Sequence, residues 1–273
     1  RARSSNAPDV RNLEGFAHPP VGVESHRGNV NRRAFTLLEL IIAVGLVAAL
    51  LALLLPGLVH ARELSQKAVC AANTRSIGLA FQMYLGDHRR FPAAMAGSAW
   101  RYGGVDFVGP DRTPVLTASR PINTAMVDRL PSSEEAFMQT FRCPADRGIW
   151  RSDSSAAQGQ SVLDGNSCYS SFGTSYRANP ALFDSTLAGI DTLHRPLAEH
   201  EIAVGFSRLL IAGDAVWHYA TRPEADPDAR LDASWHRTPK GGNMVALDGS
   251  VRFEIFSSTP ATYTLSPLRE SAR

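Results

Sequence analysis

Residues 35–59 read FTLLELIIAVGLVAALLALLLPGLV, an apolar run of 25 residues with a single charged side chain, Glu39. At about 1.5 Å per residue, a helix of this length crosses the roughly 30 Å hydrocarbon core of a membrane. A buried core helix is usually shorter and carries a polar stripe, and a secretory signal peptide has an apolar region of about 7–15 residues before a small-residue cleavage site. The run therefore predicts a transmembrane helix over residues 35–59.

Two basic residues beside this run predict its orientation. Arg32 and Arg33 lie just before it, and basic flanks stay on the cytoplasmic side of a membrane. We expect a single-pass protein that contacts the lipid of the inner (cytoplasmic) membrane. Everything after Val59 would then lie in the periplasm or outside the cell.

The charge of Glu39 indicates the kind of membrane segment, because a carboxylate that faces lipid near a helix centre costs about 2.5 kcal/mol or more. Residues 32–39 read RRAFTLLE, and Pro56 is the twenty-second residue counted from Phe35. This combination closely resembles the N-terminal signature of type IV prepilins and type II secretion pseudopilins.

The resemblance implies a route of processing and assembly. Prepilin peptidase would cut between Ala34 and Phe35, and the new amine of Phe35 would be N-methylated; Ala34 departs from the Gly that the family usually carries there. Glu39 would then meet the amine of a neighbouring pseudopilin subunit, so that two charges in an apolar environment neutralise each other. Pro56, also an assembly residue, would bend the helix because its ring removes a backbone donor.

The predicted fold is α+β and pilin-like, with a long N-terminal helical spine packed against an antiparallel β-sheet domain. We expect a disordered, cleaved leader over residues 1–34, a transmembrane helix over 35–59, an amphipathic continuation over 60–90 and an extracytoplasmic domain over 91–273, called the covering domain below because it would cover the spine. The amphipathic part is predicted from apolar residues at near-helical spacing, namely Leu64, Ala68, Ala71, Ile77, Phe81 and Tyr84.

Three strands are predicted near the C-terminus. Residues 208–212 form one strand, and residues 243–247 and 250–256 form a hairpin around Asp248-Gly249. Asp-Gly between alternating segments favours a type I′ turn, in which both central residues have positive φ.

The region before this hairpin extends the resemblance. It is similar to a C-terminal motif of bacterial prepilin-like proteins, in which nine residues separate a His from Asp-Gly. In this chain eleven residues separate His236 from Asp248 and Gly249. The two extra residues would lengthen the loop at residues 238–240.

Three cysteines lie on the predicted exported side, where disulfides persist. Cys70 opens the block CAAN and Cys143 opens the block CPAD, and both blocks resemble parts of the same family. Their pairing is our first expectation, because it would tie the covering domain to the spine and contribute about 2–4 kcal/mol. A bridge between Cys143 and Cys168, and three unpaired buried thiols, are the alternatives.

Two polar pairs could carry chemistry, His236 with Asp248 and Asp214 with His218. A metal site needs three or four converging ligands, and no zinc spacing or EF-hand calcium loop is present in the sequence. We therefore interpret the motif structurally. Asp248 makes the turn, Gly249 takes positive φ, and His236 hydrogen-bonds locally to order the preceding loop. No catalytic residue, metal or other cofactor is expected.

Function is predicted partly by what the sequence lacks. It contains no G-x-S-x-G, no H-E-x-x-H and no phosphate-binding glycine loop, and its arginines are dispersed, so nucleic acid is not an expected partner. We expect a non-enzymatic, pseudopilin-like subunit of a type II secretion or type IV pilus-like system. The alternative is a membrane-anchored periplasmic enzyme or ligand-binding protein. That function requires a pocket where His236, Asp248 or Asp214 converges with other polar groups.

Overall fold

The computed structural model describes residues 36–93, 99–117, 119–127, 133–148, 150–151, 167–221, 229–230, 235–257 and 261–268. The predicted leader and the predicted cleavage site at Ala34 and Phe35 lie outside these residues. The chain divides into two compact units, Arg1–Ala52 and Leu53–Arg273.

The first helix, α1, spans Leu37–His88 and is 52 residues long. Leu and Ala, which have high helix propensity, dominate its first half. It ends where Arg89 adopts a φ of 56° and donates its backbone N–H to the Leu85 carbonyl at 2.8 Å. The prediction of one long N-terminal helix is confirmed, and Pro56 lies inside it.

Shorter elements follow α1. In chain order they are β1 (Val105–Val108), β2 (Thr113–Leu116), α2 (Pro121–Val127), α3 (Glu134–Thr140), β3 (Trp150–Arg151), α4 (Cys168–Phe172), β4 (Tyr176–Ala178), two 3₁₀ helices (Pro180–Leu182 and Glu199–Glu201), β5 (Leu210–Asp214), α5 (Val216–Thr221), β6 (Ala229–Arg230), β7 (Gly241–Ala246) and β8 (Val251–Ile255).

The main sheet has four antiparallel strands in the order β4-β5-β7-β8. β1 with β2, and β3 with β6, form two separate antiparallel pairs. The α+β architecture expected from the sequence is confirmed. The three predicted strands correspond to β5, β7 and β8, with ends that differ from the expected ones by one or two residues.

The second half of α1 buries one face, which includes the predicted Ile77 and Phe81 but not the whole predicted set. Its buried residues recur at helical spacing, namely Cys70, Thr74, Ile77, Gly78, Ala80, Phe81 and Leu85. Leu64 and Ala68 were expected on this face and are exposed. The covered stripe begins instead at Glu63 and Lys67 and continues to Cys70. Glu63 forms an ion pair with Arg237 of the covering domain, and the Lys67 ammonium lies over the ring of Phe253. The spacing of apolar residues did not predict this part of the stripe, because Glu63 and Lys67 are charged.

The stripe packs on the main sheet. A side chain at Gly78 would overlap the Cγ2 atom of Val245 on β7, so the helix and the strand approach each other closely. Four residues further along α1, Gln82 Nε2 donates to the carbonyl of Leu247 at 2.9 Å. These contacts fix the position of the second half of α1 on the sheet.

A buried guanidinium links the segments around β1. Arg120, whose side chain is 4% exposed, donates through Nη2 and Nε to Asp106 Oδ1 at 2.9 and 3.1 Å. Its remaining hydrogen bonds go to the carbonyls of Trp100, Gly103 and Phe172. Burial lowers the pKa of Arg120. Hydrogen bonds from the Thr117 hydroxyl and from Arg120 outweigh partial burial and lower the pKa of Asp106. Both groups stay charged, and the pair is fully hydrogen-bonded.

Candidate functional site

The start of α1 is a capping box formed by Thr36 and Glu39. The backbone N–H and the Oγ1 hydroxyl of Thr36 both donate to Glu39 Oε2 at 2.9 Å. In return, the backbone N–H of Glu39 donates to Thr36 Oγ1 at 3.2 Å. These bonds satisfy donors that a helix start leaves unpaired. Sequence analysis missed this role of Glu39, although the T-x-x-E spacing is its signal.

The apolar half of α1 has the properties of a membrane segment. Within the described part of the chain, α1 is the one helix that is long and apolar enough to span a membrane, and none of its most apolar 18-residue window is buried. Large side chains such as Leu38, Ile42 and Leu53 are each more than half exposed. Such a surface requires lipid or neighbouring helices as its surroundings.

A disulfide joins Cys70 of α1 to Cys143, with a Cα–Cα distance of 5.2 Å. This is the pairing that the sequence analysis placed first, and it closes a loop with a sequence separation of 73 residues. Cys168, at the start of α4, is a buried free thiol. Burial, together with the nearby Asp146, raises the pKa of this thiol well above its usual value.

His236 does not make the local contact expected from the sequence. Its Nε2 atom lies 3.1 Å from Asp214 Oδ2, and both side chains are fully buried. The same Nε2 atom lies 3.8 Å from Cys143 Sγ, so the His-Asp pair packs directly against the disulfide. The interpretation of His236 as a local loop-ordering residue is therefore wrong, because its partner lies at the end of β5.

Asp214 is the centre of this arrangement. Besides His236, its Oδ2 atom accepts hydrogen bonds from the backbone N–H of Asn243 at 2.6 Å and from Asn243 Nδ2 at 3.2 Å. His218, which the sequence analysis paired with Asp214, lies on α5 with its ring perpendicular to those of Trp217 and Tyr219. The polar group that Asp214 anchors thus connects β5 to β7.

Asp248 and Gly249 form the hairpin turn, but not the predicted type I′ turn. Gly249 has a φ of 82°, whereas Asp248 does not have a positive φ. The backbone bonds from Gly249 N–H to the Ala246 carbonyl and from Ala246 N–H to the Ser250 carbonyl match a three-residue loop that ends in a left-handed glycine. Asp248 Oδ1 accepts from the N–H and the hydroxyl of Ser250, which outweighs partial burial and lowers the pKa of Asp248.

Asp146, in the CPAD block, is a structural residue that sequence analysis did not single out. Its carboxylate accepts backbone N–H groups from Gly148, Cys168 and Tyr169 at 2.9–3.0 Å, and it therefore caps the start of α4. It also accepts a hydrogen bond from the Ser175 hydroxyl at 2.6 Å, and that hydroxyl in turn accepts one from the backbone N–H of Cys143. Burial raises the pKa of Asp146, and these bonds offset the rise only partly.

A cavity of about 300 Å³ lies beside the His-Asp pair. Arg62 and Glu63 of α1 and the segment Trp235–Arg237 contribute to its walls. Glu63 and Arg237 form an ion pair at 2.6 Å. The pocket required by the enzyme or ligand-binding alternative is therefore present in part. His236 lines it and converges with Asp214, whereas Asp248 lies in the hairpin turn.

Four residues that carry metal-ligating atoms converge in the fold, an arrangement that the sequence analysis did not foresee. Ligand atoms of Cys70, Cys143, Asp214 and His236 all lie within 4.8 Å of one another, and all four residues are buried. Sequence spacing gave no indication of this cluster because its members come from four separate segments of the chain.

Two family models match the chain. The prokaryotic N-terminal methylation motif matches residues 29–55. The family SBP_bac_10, described as a protein of unknown function (DUF1559), matches residues 59–210, which is more than half of the chain. The chain belongs to the DUF1559 family. Its methylation motif includes Ala34, Phe35 and Glu39 and confirms the resemblance to prepilins and pseudopilins.

No curated protein and no solved structure gives a significant match to this DUF1559 protein. The methylation motif and the apolar half of α1 fit a single-pass, membrane-anchored protein with a type IV pilin-like or pseudopilin-like role. Within the buried cluster, Cys70 and Cys143 lie inside the DUF1559 match, whereas Asp214 and His236 follow it.

Proposed function

We propose that this DUF1559 protein is a pseudopilin-like structural subunit of a type II secretion or type IV pilus-like system in the inner membrane. Prepilin peptidase cuts before Phe35, the new amine is N-methylated, and the subunit assembles with other pseudopilins through the first half of α1. The domain after the helix lies in the periplasm or outside the cell. The observation that carries the proposal is the single carboxylate, Glu39, at the start of the otherwise apolar and uncovered first half of α1.

The geometry of Glu39 suits a second partner. Both hydrogen bonds from Thr36 end on Oε2, and Oε1 receives neither of them. Cleavage before Phe35 would create a positive amine four residues before Glu39 in the sequence. In a bundle of such helices, the amine of one subunit and Oε1 of another neutralise each other, which removes the cost of an isolated charge in an apolar environment.

Three variants separate assembly from helix capping. Glu39→Gln keeps an acceptor for the capping box but removes the charge, Glu39→Leu removes both, and Thr36→Val removes the capping hydroxyl but leaves the charge. The proposal predicts that Glu39→Gln and Glu39→Leu each lower incorporation into filaments about tenfold or more, measured by cross-linking of subunits in cells that express the peptidase. Thr36→Val should assemble almost normally.

Membrane insertion serves as the control, because all three variants should resist carbonate extraction as the unaltered chain does. Normal assembly of Glu39→Gln, with a defect confined to Glu39→Leu and Thr36→Val, would show that Glu39 acts only as a helix cap and would overturn the proposed assembly role.

The second candidate function is a membrane-anchored binding protein, and the cavity beside His236 supports it. Its walls offer opposite charges at Arg62 and Glu63, which suit a small polar ligand. A binding function predicts a different dependence on these residues. Glu39→Gln would leave ligand binding intact, whereas Arg62→Ala, in the cavity wall, would abolish it.

A further inference from the structure

Four side chains of three chemical types meet in the buried core around His236. Cys70 comes from α1, Cys143 follows α3, Asp214 ends β5, and His236 precedes β7. One ligand atom from each lies within 4.8 Å of all the others. The Cys70–Cys143 disulfide is part of the group.

The orientation of His236 distinguishes a ligand cluster from a catalytic relay. In a relay, the two ring nitrogens act on opposite sides, one toward the nucleophile and the other toward the carboxylate. Here the same atom, Nε2, lies 3.1 Å from Asp214 Oδ2 and 3.8 Å from Cys143 Sγ. The carboxylate oxygen and the sulfur therefore both lie near the same ring nitrogen, as two further ligands of one ion would.

Two polar atoms of the cluster are buried without a hydrogen-bond partner among the described residues. They are Asp214 Oδ1 and His236 Nδ1. A buried carboxylate oxygen without a partner is costly. A cation held between the carboxylate and the ring would compensate the charge of Asp214.

The ligand types select zinc. Two thiolates, one imidazole and one carboxylate are a zinc set, with bond lengths of about 2.3 Å to sulfur and about 2.0–2.2 Å to nitrogen and oxygen. Tetrahedral placement at these lengths puts nitrogen and oxygen about 3.3 Å apart, close to the 3.1 Å between His236 and Asp214. Calcium is a poor match because it prefers oxygen ligands.

We propose that the dithiol form of this protein binds one Zn²⁺ through Cys70, Cys143, Asp214 and His236, and that formation of the disulfide excludes the ion. Reduction by an external dithiol transfers two electrons and two protons to the disulfide, which becomes two thiols while the reductant becomes a disulfide. Zn²⁺ then replaces the two thiol protons and is not itself oxidised or reduced. Either the disulfide or the metal ties α1 to the covering domain, and His236 also lines the cavity beside the cluster.

The test uses the full chain in detergent micelles with Co²⁺ as a spectroscopic probe for the zinc site. One sample stays oxidised, and the other is reduced with dithiothreitol, which is then removed under anaerobic conditions because it binds metals. The reduced chain should bind one Co²⁺ with sulfur-to-cobalt charge-transfer bands and tetrahedral d–d bands, and one equivalent of Zn²⁺ should abolish both. The oxidised chain should show neither. Absence of these bands from the reduced chain, or equal bands in both samples, would overturn the proposal.

Two variants locate the ion. His236→Ala should weaken Co²⁺ binding about tenfold or more and shift the d–d bands, because a ring nitrogen leaves the coordination sphere. Cys168→Ser is the matched control, since this buried thiol lies outside the cluster, and it should bind like the unaltered chain. An unchanged spectrum in His236→Ala, or loss of the charge-transfer bands in Cys168→Ser, would place the ion elsewhere and refute the site.

Discussion

Gly249 lies in the turn between β7 and β8, beside Gln82 of α1. Its φ of 82° lies in the left-handed region, and a Cβ atom there would lie 3.1 Å from Gln82 Nε2. That Nε2 group donates to the carbonyl of Leu247, so a side chain at Gly249 would press on a contact between the helix and the turn.

Substitutions at Gly249 should therefore follow backbone preference. Gly249→Ala should lower the free energy of unfolding by about 1–2 kcal/mol, because alanine is strained at positive φ. Gly249→Asn should cost less, since asparagine tolerates this region despite its larger side chain. Thermal unfolding of the two variants in the same detergent would test this, and a larger loss for Asn than for Ala would show that space, not backbone strain, determines the cost.

The contrast between Asp248 and His236 shows what sequence can reveal about single residues. The turn at Asp248-Gly249 was predictable because turn chemistry is local, although φ at Asp248 excludes the type I′ form. The partner of His236 was not predictable, because Asp214 is 22 residues away and reaches it only through the pairing of β5 with β7. Arg120 was missed for a similar reason, since only the fold brings its carbonyl acceptors together.

The interface between α1 and the main sheet depends on a residue without a side chain. Gly78 faces Val245, whereas Gly86, on the same helix, has open space around it. The two glycines therefore separate the effect of packing from that of helix propensity.

Alanine substitutions at these two positions should have opposite effects. Gly78→Ala should lower the free energy of unfolding by about 1–3 kcal/mol, because the added methyl group overpacks the interface. Gly86→Ala should raise it by about 0.5–1 kcal/mol through helix propensity alone. Adding Val245→Ala to Gly78→Ala should cost less than the sum of the single changes. Stabilisation by both glycine variants would contradict this close approach.

A bidentate ion pair between Arg195 and Glu201 stabilises the 3₁₀ helix at residues 199–201. Arg195 Nη1 and Nη2 donate to the two carboxylate oxygens of Glu201 at 2.8 and 2.5 Å. Hydrogen bonds from Arg195, followed by one from the Ala198 backbone N–H, lower the pKa of Glu201 to about 2. Glu199 also forms an ion pair, with Arg89, but there the side chains are 38% and 79% exposed.

This difference predicts a pH dependence of stability. The folded-state pKa of Glu201 is depressed, so its contribution is present above the ordinary carboxyl pKa of 4.5 and is lost as the pH falls toward 2. Glu201→Gln should therefore lower the melting temperature at pH 7, and the gap should narrow as the pH approaches 2. Glu199→Gln, the control, should have little effect at any pH because its ion pair is screened by solvent. A gap for Glu201→Gln that is constant with pH would contradict the assignment.

For the whole molecule, sequence established the long helix and the strands near the C-terminus, because each has a strong local pattern. It placed the covered face of α1 incorrectly at Leu64 and Ala68. The covered stripe there consists of Glu63 and Lys67, whose partners, Arg237 and Phe253, lie far along the chain. The cluster of Cys70, Cys143, Asp214 and His236 was likewise not predictable, since it exists only when α1 and the sheet are packed together.

The central claim, prepilin-type processing, is tested most directly by the mass of the N-terminus. The chain would be expressed with and without prepilin peptidase, purified from membranes and measured intact, with Ala34→Gly, which restores the residue usual in the family, as a matched control. With the peptidase, both chains should begin at Phe35 and carry one added methyl group; without it, both should retain the leader. A leader retained in the presence of the peptidase, even in Ala34→Gly, or a new N-terminus beyond residue 60, would contradict the account.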